Sequence, residues 1–322
     1  MSTIAMNSFA MNQAWGLKNM FSALTSLPGA EAPAVKPASG DMPVARPRRC
    51  RAITIAGGKG GVGKSTVAVN LGMALSMAGH DTMLLDADMG LANLDVMLGL
   101  SPARHIGHLL DGTCSLKELM LPAPHGLKVI PAGSGARRLA QLDTREHAAV
   151  IRAFDELPDP PEYLLVDTAA GVTDNVVMFA AAADDVVLVV CDEPASLTDA
   201  YALTKVLSRD FRVRRFHVVA NMVRHAGEAR QLYDKLARVC DRFLDVALDF
   251  MGTVPYDEHL RQAIRRQSAV VDLWPASRAS RGFKQMVGVV DTWGEPQRSG
   301  RDRIAFFGGR AASAPDRIGE GW

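Results

Sequence analysis

The sequence predicts an α/β fold, a doubly wound and mostly parallel sheet flanked by helices. Three observations carry that expectation. Between Arg51 and Trp293, short apolar runs alternate with helix-length amphipathic segments, the pattern of right-handed strand–helix–strand crossovers. A glycine-rich string, Gly58-Lys59-Gly60-Gly61-Val62-Gly63-Lys64-Ser65-Thr66, lies between the first such run and the first such helix. Later apolar runs end in an acid or an amide, at the strand ends where open α/β sheets gather ligands.

The composition permits such a core. Of 322 residues, 48% are hydrophobic and 22% charged, which excludes a wholly disordered chain. The net charge of +1 excludes a strongly basic nucleic-acid binder at whole-chain level. That balance conceals a gradient. Residues 1–51 hold six basic and two acidic side chains, so +4, and residues 293–322 sum to +1, leaving the body between them at −4. The four cysteines, Cys50, Cys114, Cys191 and Cys240, form no C-x-x-C pair, which fits a reducing cytosol and no disulfide framework. No apolar run reaches the ~18 residues of a membrane span. The first lysine is Lys18, so a charged signal-peptide n-region is missing and a cytoplasmic location is expected.

Taken in order, residues 1–27 form a helical candidate with Phe9, Leu17, Met20 and Leu24 near helical spacing. Residues 28–50, with Pro28, Pro33, Pro37, Pro43 and Pro47, read as a linker. Residues 51–293 form the globular body. Its strand candidates are Ala52–Ala56, Thr82–Leu85, Lys128–Pro131, Tyr163–Val166, Asp185–Cys191, Phe216–Ala220 and Phe250–Val254, with helical patterns at Lys64–Ala78, Ser196–Arg209, Glu228–Asp245 and Arg278–Val290. Residues 294–322 form a Gly-, Arg- and Pro-rich tail.

The glycine string satisfies G-x-x-x-x-G-K-[ST] with a strand before it and a helix after it. Gly58, Gly60, Gly61 and Gly63 let the backbone turn tightly, so that N–H groups from Val62 to Thr66 converge on phosphate oxygens at a helix N-terminus. In that frame Lys64 reaches the β- and γ-phosphates and the Ser65 hydroxyl ligates Mg²⁺. Asp86 and Asp88 follow the second strand: Asp88 is suited to hold the attacking water, and Asp86 to the Mg²⁺ shell. Asp167 ends the apolar run Tyr163-Leu164-Leu165-Val166, where a carboxylate holds Mg²⁺ through its waters. Asn221 ends a later strand with a donor and an acceptor that match the N6/N7 edge of adenine, so ATP is the expected nucleotide. A strand-end cap is the alternative for Asn221.

The string K-G-G-V-G-K-S-T, with D-A-D-M-G-L-A-N-L-D after the second strand, resembles the deviant Walker A loop and first switch of the MinD/ParA ATPases. That resemblance implies that Lys59 crosses a dimer interface to the partner's nucleotide, that ATP drives a face-to-face homodimer, and that hydrolysis to ADP resets it. It also implies that the turn Val254-Pro255-Tyr256-Asp257, with Pro255, adds backbone contacts to the base.

Gly90–Val96, Val190–Pro194, Ala220-Asn221-Met222 and Arg242–Val246 resemble the flagellar-number regulators, the FlhG/FleN branch. That branch implies an N-terminal activator helix for the FlhF-type signal-recognition GTPase. In Asn12-Gln13-Ala14-Trp15-Gly16-Leu17-Lys18, residues Gln13, Ala14 and Leu17 match its D-Q-A-x-x-L-R pattern. It also implies a flagellar transcription regulator or switch-ring protein as partner. A C-terminal membrane-contact helix is implied too, placing the protein peripherally at the inner membrane face or cell pole; Ile304 and Phe307 fall on one side of Arg301–Phe307.

The competing reading is a ParA-type partitioning ATPase that binds DNA without sequence preference through Arg209, Arg212, Arg214, Arg215, Arg261, Arg265 and Arg266. No sequence-specific nucleic acid is expected. An iron–sulfur carrier would need bridging cysteine pairs, and a tyrosine kinase of this fold a tyrosine-rich tail; neither is present.

Overall fold

A computed structural model describes residues 50–133, 138–295 and 304–309. The activator candidate with Gln13, Ala14 and Leu17 lies outside the described residues, as does the linker up to residue 49. The sheet strands are β1 (Arg51–Ala56), β2 (Thr82–Ala87), β3 (Leu121–Pro122), β4 (Lys128–Ile130), β5 (Tyr163–Thr168), β6 (Asp185–Val190), β7 (Arg215–Val223) and β8 (Ala247–Pro255). The longer helices are α1 (Lys64–Met77), α2 (Thr144–Ala153), α3 (Asp174–Ala182), α4 (Pro194–Phe211), α5 (Ala226–Phe243), α6 (Glu258–Arg265) and α7 (Arg278–Asp291). The strand order is β3-β4-β2-β5-β1-β6-β7-β8, and among the described strands the β3–β4 pair alone is antiparallel. The doubly wound sheet expected from the sequence is the one observed.

Packing follows from the strand sequences. β2, β5 and β6 are buried at every position, as strands covered on both faces must be. Residues of α2, α3, α4 and α5 form one core layer, and residues of α1, α6 and α7 the other. Because the crossovers are parallel, Ala56, Ala87, Thr168, Val190, Val223 and Pro255 all end at one edge, which carries the loops named above.

The C-terminal stretch departs from the membrane-helix expectation. Ile304, Phe306 and Phe307 are buried in the core. The Phe306 ring meets Phe154 edge-on at 5.2 Å and stacks on Phe179 at 6.2 Å, and Phe307 meets Phe154 at 5.7 Å. Phe306 N donates to Ala182 O at 3.2 Å, and Gly309 N to an Asp155 carboxylate at 3.2 Å. An apolar spacing suited to a lipid surface suits a protein groove equally, and two phenylalanines gain more apolar burial there than in water. Phe306→Ala is expected to cost about 3–5 kcal/mol, the range for a buried phenylalanine, read by urea denaturation. No helix among the described residues is long and apolar enough to cross a membrane.

Candidate functional site

The loop between β1 and α1 is shaped by its glycines. Gly61 and Gly63 adopt φ of +81° and +89°, the left-handed region where a side chain is strained. Gly63 is the N-cap of α1 and offers no side chain to the helix's first N–H groups, which leaves them for an anion. A Cβ on Gly63 would come within 2.2 Å of Asn221 Nδ2, and one on Gly58 within 2.3–2.5 Å of Asp199 on α4. The loop is therefore clasped between β7 and α4. Gly58→Ala would collide with the Asp199 backbone and displace the loop. The expected result is a roughly tenfold or greater loss of ATP affinity by calorimetry, with the far-UV spectrum unchanged.

Lys64 is buried at 7% exposure, and its ammonium donates to Lys59 O at 3.3 Å. Burial lowers its pKa, while the Asp167 and Asp88 carboxylates pull it back up. Lys59 is half-exposed and forms an ion pair with Glu193, the residue just before α4. Glu193 lies in the stretch Val190–Pro194 that resembles the flagellar-number regulators, a resemblance that assigns it no role; its position after β6, at the ligand-bearing edge, was the available signal.

The acidic residues divide into different duties. Asp86 and Asp167 are register partners on the adjacent strands β2 and β5. Asp86 Oδ1 accepts from Asp88 N at 3.1 Å, and Oδ2 from Asn93 N at 2.9 Å and Leu94 N at 3.1 Å. Its carboxylate thus braces the 88–94 loop, and burial pushes its pKa up to about 7. Asp88 is half-buried, and its Oδ1 accepts from Leu91 N at 3.1 Å.

Asp167 is fully buried, and neither carboxylate oxygen has a hydrogen-bond partner. Burial, and next the Asp86 charge, hold its pKa well above the carboxylate range; the nearby Ser65 hydroxyl and Lys64 offset part of this. A buried carboxylate without donors is the oxygen set a hard cation seeks, so Asp167 and Ser65 fit Mg²⁺. Asp86, which the sequence also placed in the Mg²⁺ shell, has both oxygens in hydrogen bonds from backbone N–H groups.

Asn221 is buried, with Nδ2 donating to Val62 O at 2.7 Å and Oδ1 accepting from Met222 N at 2.9 Å. It therefore ties β7 to the phosphate loop. Met222, at φ +58°, makes an irregularity within β7, where the register against β8 shifts between Asn221 and Val223. Pro255 pairs with Val223, and Tyr256 N donates to Val223 O at 2.8 Å, which sets that turn beside Asn221. Of the arginines considered for DNA, Arg214, Arg215 and Arg261 are paired with Asp245, Asp249 and Glu258.

A strand, a glycine loop with Lys64 and Ser65, and an orphaned strand-end carboxylate define a P-loop nucleotide-binding protein. The chain belongs to the CobQ/CobB/MinD/ParA nucleotide-binding domain family, whose description matches residues 53–270. It is 48% identical to the antiactivator FleN of Pseudomonas aeruginosa, across 82% of this chain and 94% of that protein. It is 32% identical to the flagellum site-determining protein YlxH of Helicobacter pylori, across 74% of this chain and 81% of the relative. Its fold is similar to the cell division ATPase MinD of Pyrococcus furiosus, with a TM-score of 0.64 at 23% identity, covering 75% of this chain and 98% of that one. The MinD of Pyrococcus horikoshii, solved with Mg-ADP, matches at the same TM-score of 0.64 and 22% identity, over 76% of this chain and 97% of that one.

Proposed function

We propose that this protein is an Mg²⁺-dependent ATPase switch that limits flagellar number. ATP binding at the Lys64–Ser65 loop drives a homodimer, and hydrolysis with water held by Asp88 returns it to monomer. The observation that carries this reading is the 48% identity to an antiactivator over nearly that protein's full length. A half-exposed second lysine in the loop supports the dimer step, because a cation there can neutralise phosphate charge across an interface. The finer reading has Lys59 acting in trans, Asn221 and Pro255 contacting adenine, and the 1–27 segment with Gln13, Ala14 and Leu17 stimulating an FlhF-type GTPase. A flagellar transcription regulator or switch-ring protein completes the partners. Peripheral membrane contact belongs to it only if Ile304, Phe306 and Phe307 leave their groove, which liposome sedimentation with ATP and with ADP tests.

The deciding experiment removes the gene and restores either wild-type protein or Lys64→Ala. Wild type should return flagella to their normal number, whereas Lys64→Ala should leave the deletion's excess. Equal counts in all three strains would sink the flagellar reading.

A further inference from the structure

We propose that Asn175 is a positioning residue for hydrolysis, one that fixes the peptide carrying Asp88 and links it to the loop after β5. This rests on the reading that Asp88 holds the attacking water. Asn175 is the second residue of α3, and its Nδ2 donates to Ala87 O at 3.2 Å, across 88 positions of sequence. Ala87 is the last residue of β2, so the accepting carbonyl belongs to the peptide that leads into Asp88. The N–H of that same peptide donates to Asp86 Oδ1 at 3.1 Å. A peptide unit is planar, and one bonded at both polar ends resists rotation. The Cα–Cβ direction of Asp88 starts from that plane. Leu91 N then steadies the carboxylate itself.

The amide serves this bond rather than packing. Ala87 O only accepts, so Nδ2 faces it, and Asn175 Oδ1 is left buried with no hydrogen-bond partner among the described residues. An apolar side chain of the same shape would avoid an unpaired buried oxygen, so the donor is what the position gains. The other end of Asn175 is tied to the phosphate loop. α3 follows the turn at Gly171, which has φ of +100°, and Gly171 N donates to Gly57 O at 3.4 Å, one residue before Gly58. Ala87 and Thr168 are register partners, and the Thr168 hydroxyl donates to Ile55 O at 3.1 Å, so β1, β5 and β2 are joined at this corner. A shift of residues 169–173 toward a γ-phosphate therefore reaches Asp88 through the Asn175 bond.

The test uses the full chain with Mg²⁺ and ATP. It compares wild type, Asn175→Ala, Asn175→Asp, Asp88→Ala and the double variant Asn175→Ala with Asp88→Ala. Asn175→Asp keeps the size and an acceptor but offers Ala87 O no donor. Phosphate release at saturating ATP should slow by about ten- to hundredfold in both single Asn175 variants, the scale of a misplacement near 1 Å. ATP affinity by calorimetry should stay within about threefold, because Lys64, Ser65 and Asp167 are untouched. In the Asp88→Ala background, Asn175→Ala should slow release no further, since residues that act as one unit do not add. Wild-type release by Asn175→Asp, or the same loss with Asp88 absent as with it present, overturns the positioning role. A fall in affinity as large as the fall in rate overturns it too, because that reports a displaced loop. Asp88→Ala hydrolysing at the wild-type rate overturns the water-holding reading itself, and this role with it.

Discussion

Asp167→Asn should melt at a higher temperature than wild type without nucleotide, and should lose Mg²⁺-dependent ATP binding. The wild-type carboxylate is fully buried with neither oxygen hydrogen-bonded, and Asp86 is its register partner on β2. Asparagine leaves polar atoms unpaired there as well, so what it removes is the ionisation, which costs the wild type about 1.4 kcal/mol for each pH unit between the unfolded value and the folded one. In a domain of this size each such unit corresponds to about 3–6 °C. The pH dependence has a definite sign. Both carboxyls have folded-state pKa values raised by burial, Asp86 to about 7 and Asp167 well above its ordinary value. Between the unfolded value of about 4 and the folded one, the native state binds more protons, so stability falls as pH rises through that window. The advantage of Asp167→Asn should therefore be smallest near pH 4 and grow toward pH 7 and above. Scanning calorimetry in EDTA across pH 4–8 reads it directly. A pH-independent difference, or a lower melting temperature throughout, would contradict the orphaned-charge account.

Where local pattern determines structure, the fold was legible. Lys64–Ala78 was expected as a helix and Lys64–Met77 is one, because a strand, a glycine turn and a helix succeed one another within the motif itself. β7 runs on past Phe216–Ala220 to Val223, because the buried amide of Asn221 interrupts the apolar run, and β8 starts at Ala247, three residues before Phe250, where Ala247 and Asp249 are exposed and Leu248 half-buried. The helix α3 has no counterpart among the helical patterns read from the sequence. Its residues from Val176 to Ala182 are all buried, so no polar face marks a helical period. Ile304 and Phe307 were legible as an apolar pair but not as to what they cover, because spacing does not distinguish lipid from a groove beside Phe154 and Phe179.

The site divides the same way. Gly63, Lys64, Ser65 and Asp167 follow from a contiguous motif and a strand end. The bracing duty of Asp86 depends on Asn93 and Leu94 folding back onto it. The Lys59–Glu193 pair joins residues 134 positions apart, which no local pattern encodes.

Lys64→Ala and Asp88→Ala should fail in opposite ways, and that contrast separates binding from hydrolysis. Lys64 is the buried cation facing Asp167 and Asp88, and its removal leaves their carboxylates directed at an anionic ligand. ATP affinity should fall by about 100-fold or more, the scale of truncating one member of a buried charge pair, and the protein should stay monomeric at any ATP concentration. Asp88 touches the phosphate loop only through its charge and holds the turn by one bond to Leu91 N. Its loss should leave ATP affinity within about threefold, because the proposed Mg²⁺ and phosphate contacts are made by Lys64, Ser65 and Asp167. Hydrolysis should slow by about 10²–10⁴, the usual worth of a positioned proton acceptor, and ATP-bound dimers should accumulate. Calorimetry, phosphate release and sedimentation distinguish the four quantities. Should Asp88→Ala release phosphate at the wild-type rate, water positioning passes to another group, and Asp88 retains only the role its hydrogen bond shows, closing the turn at Leu91.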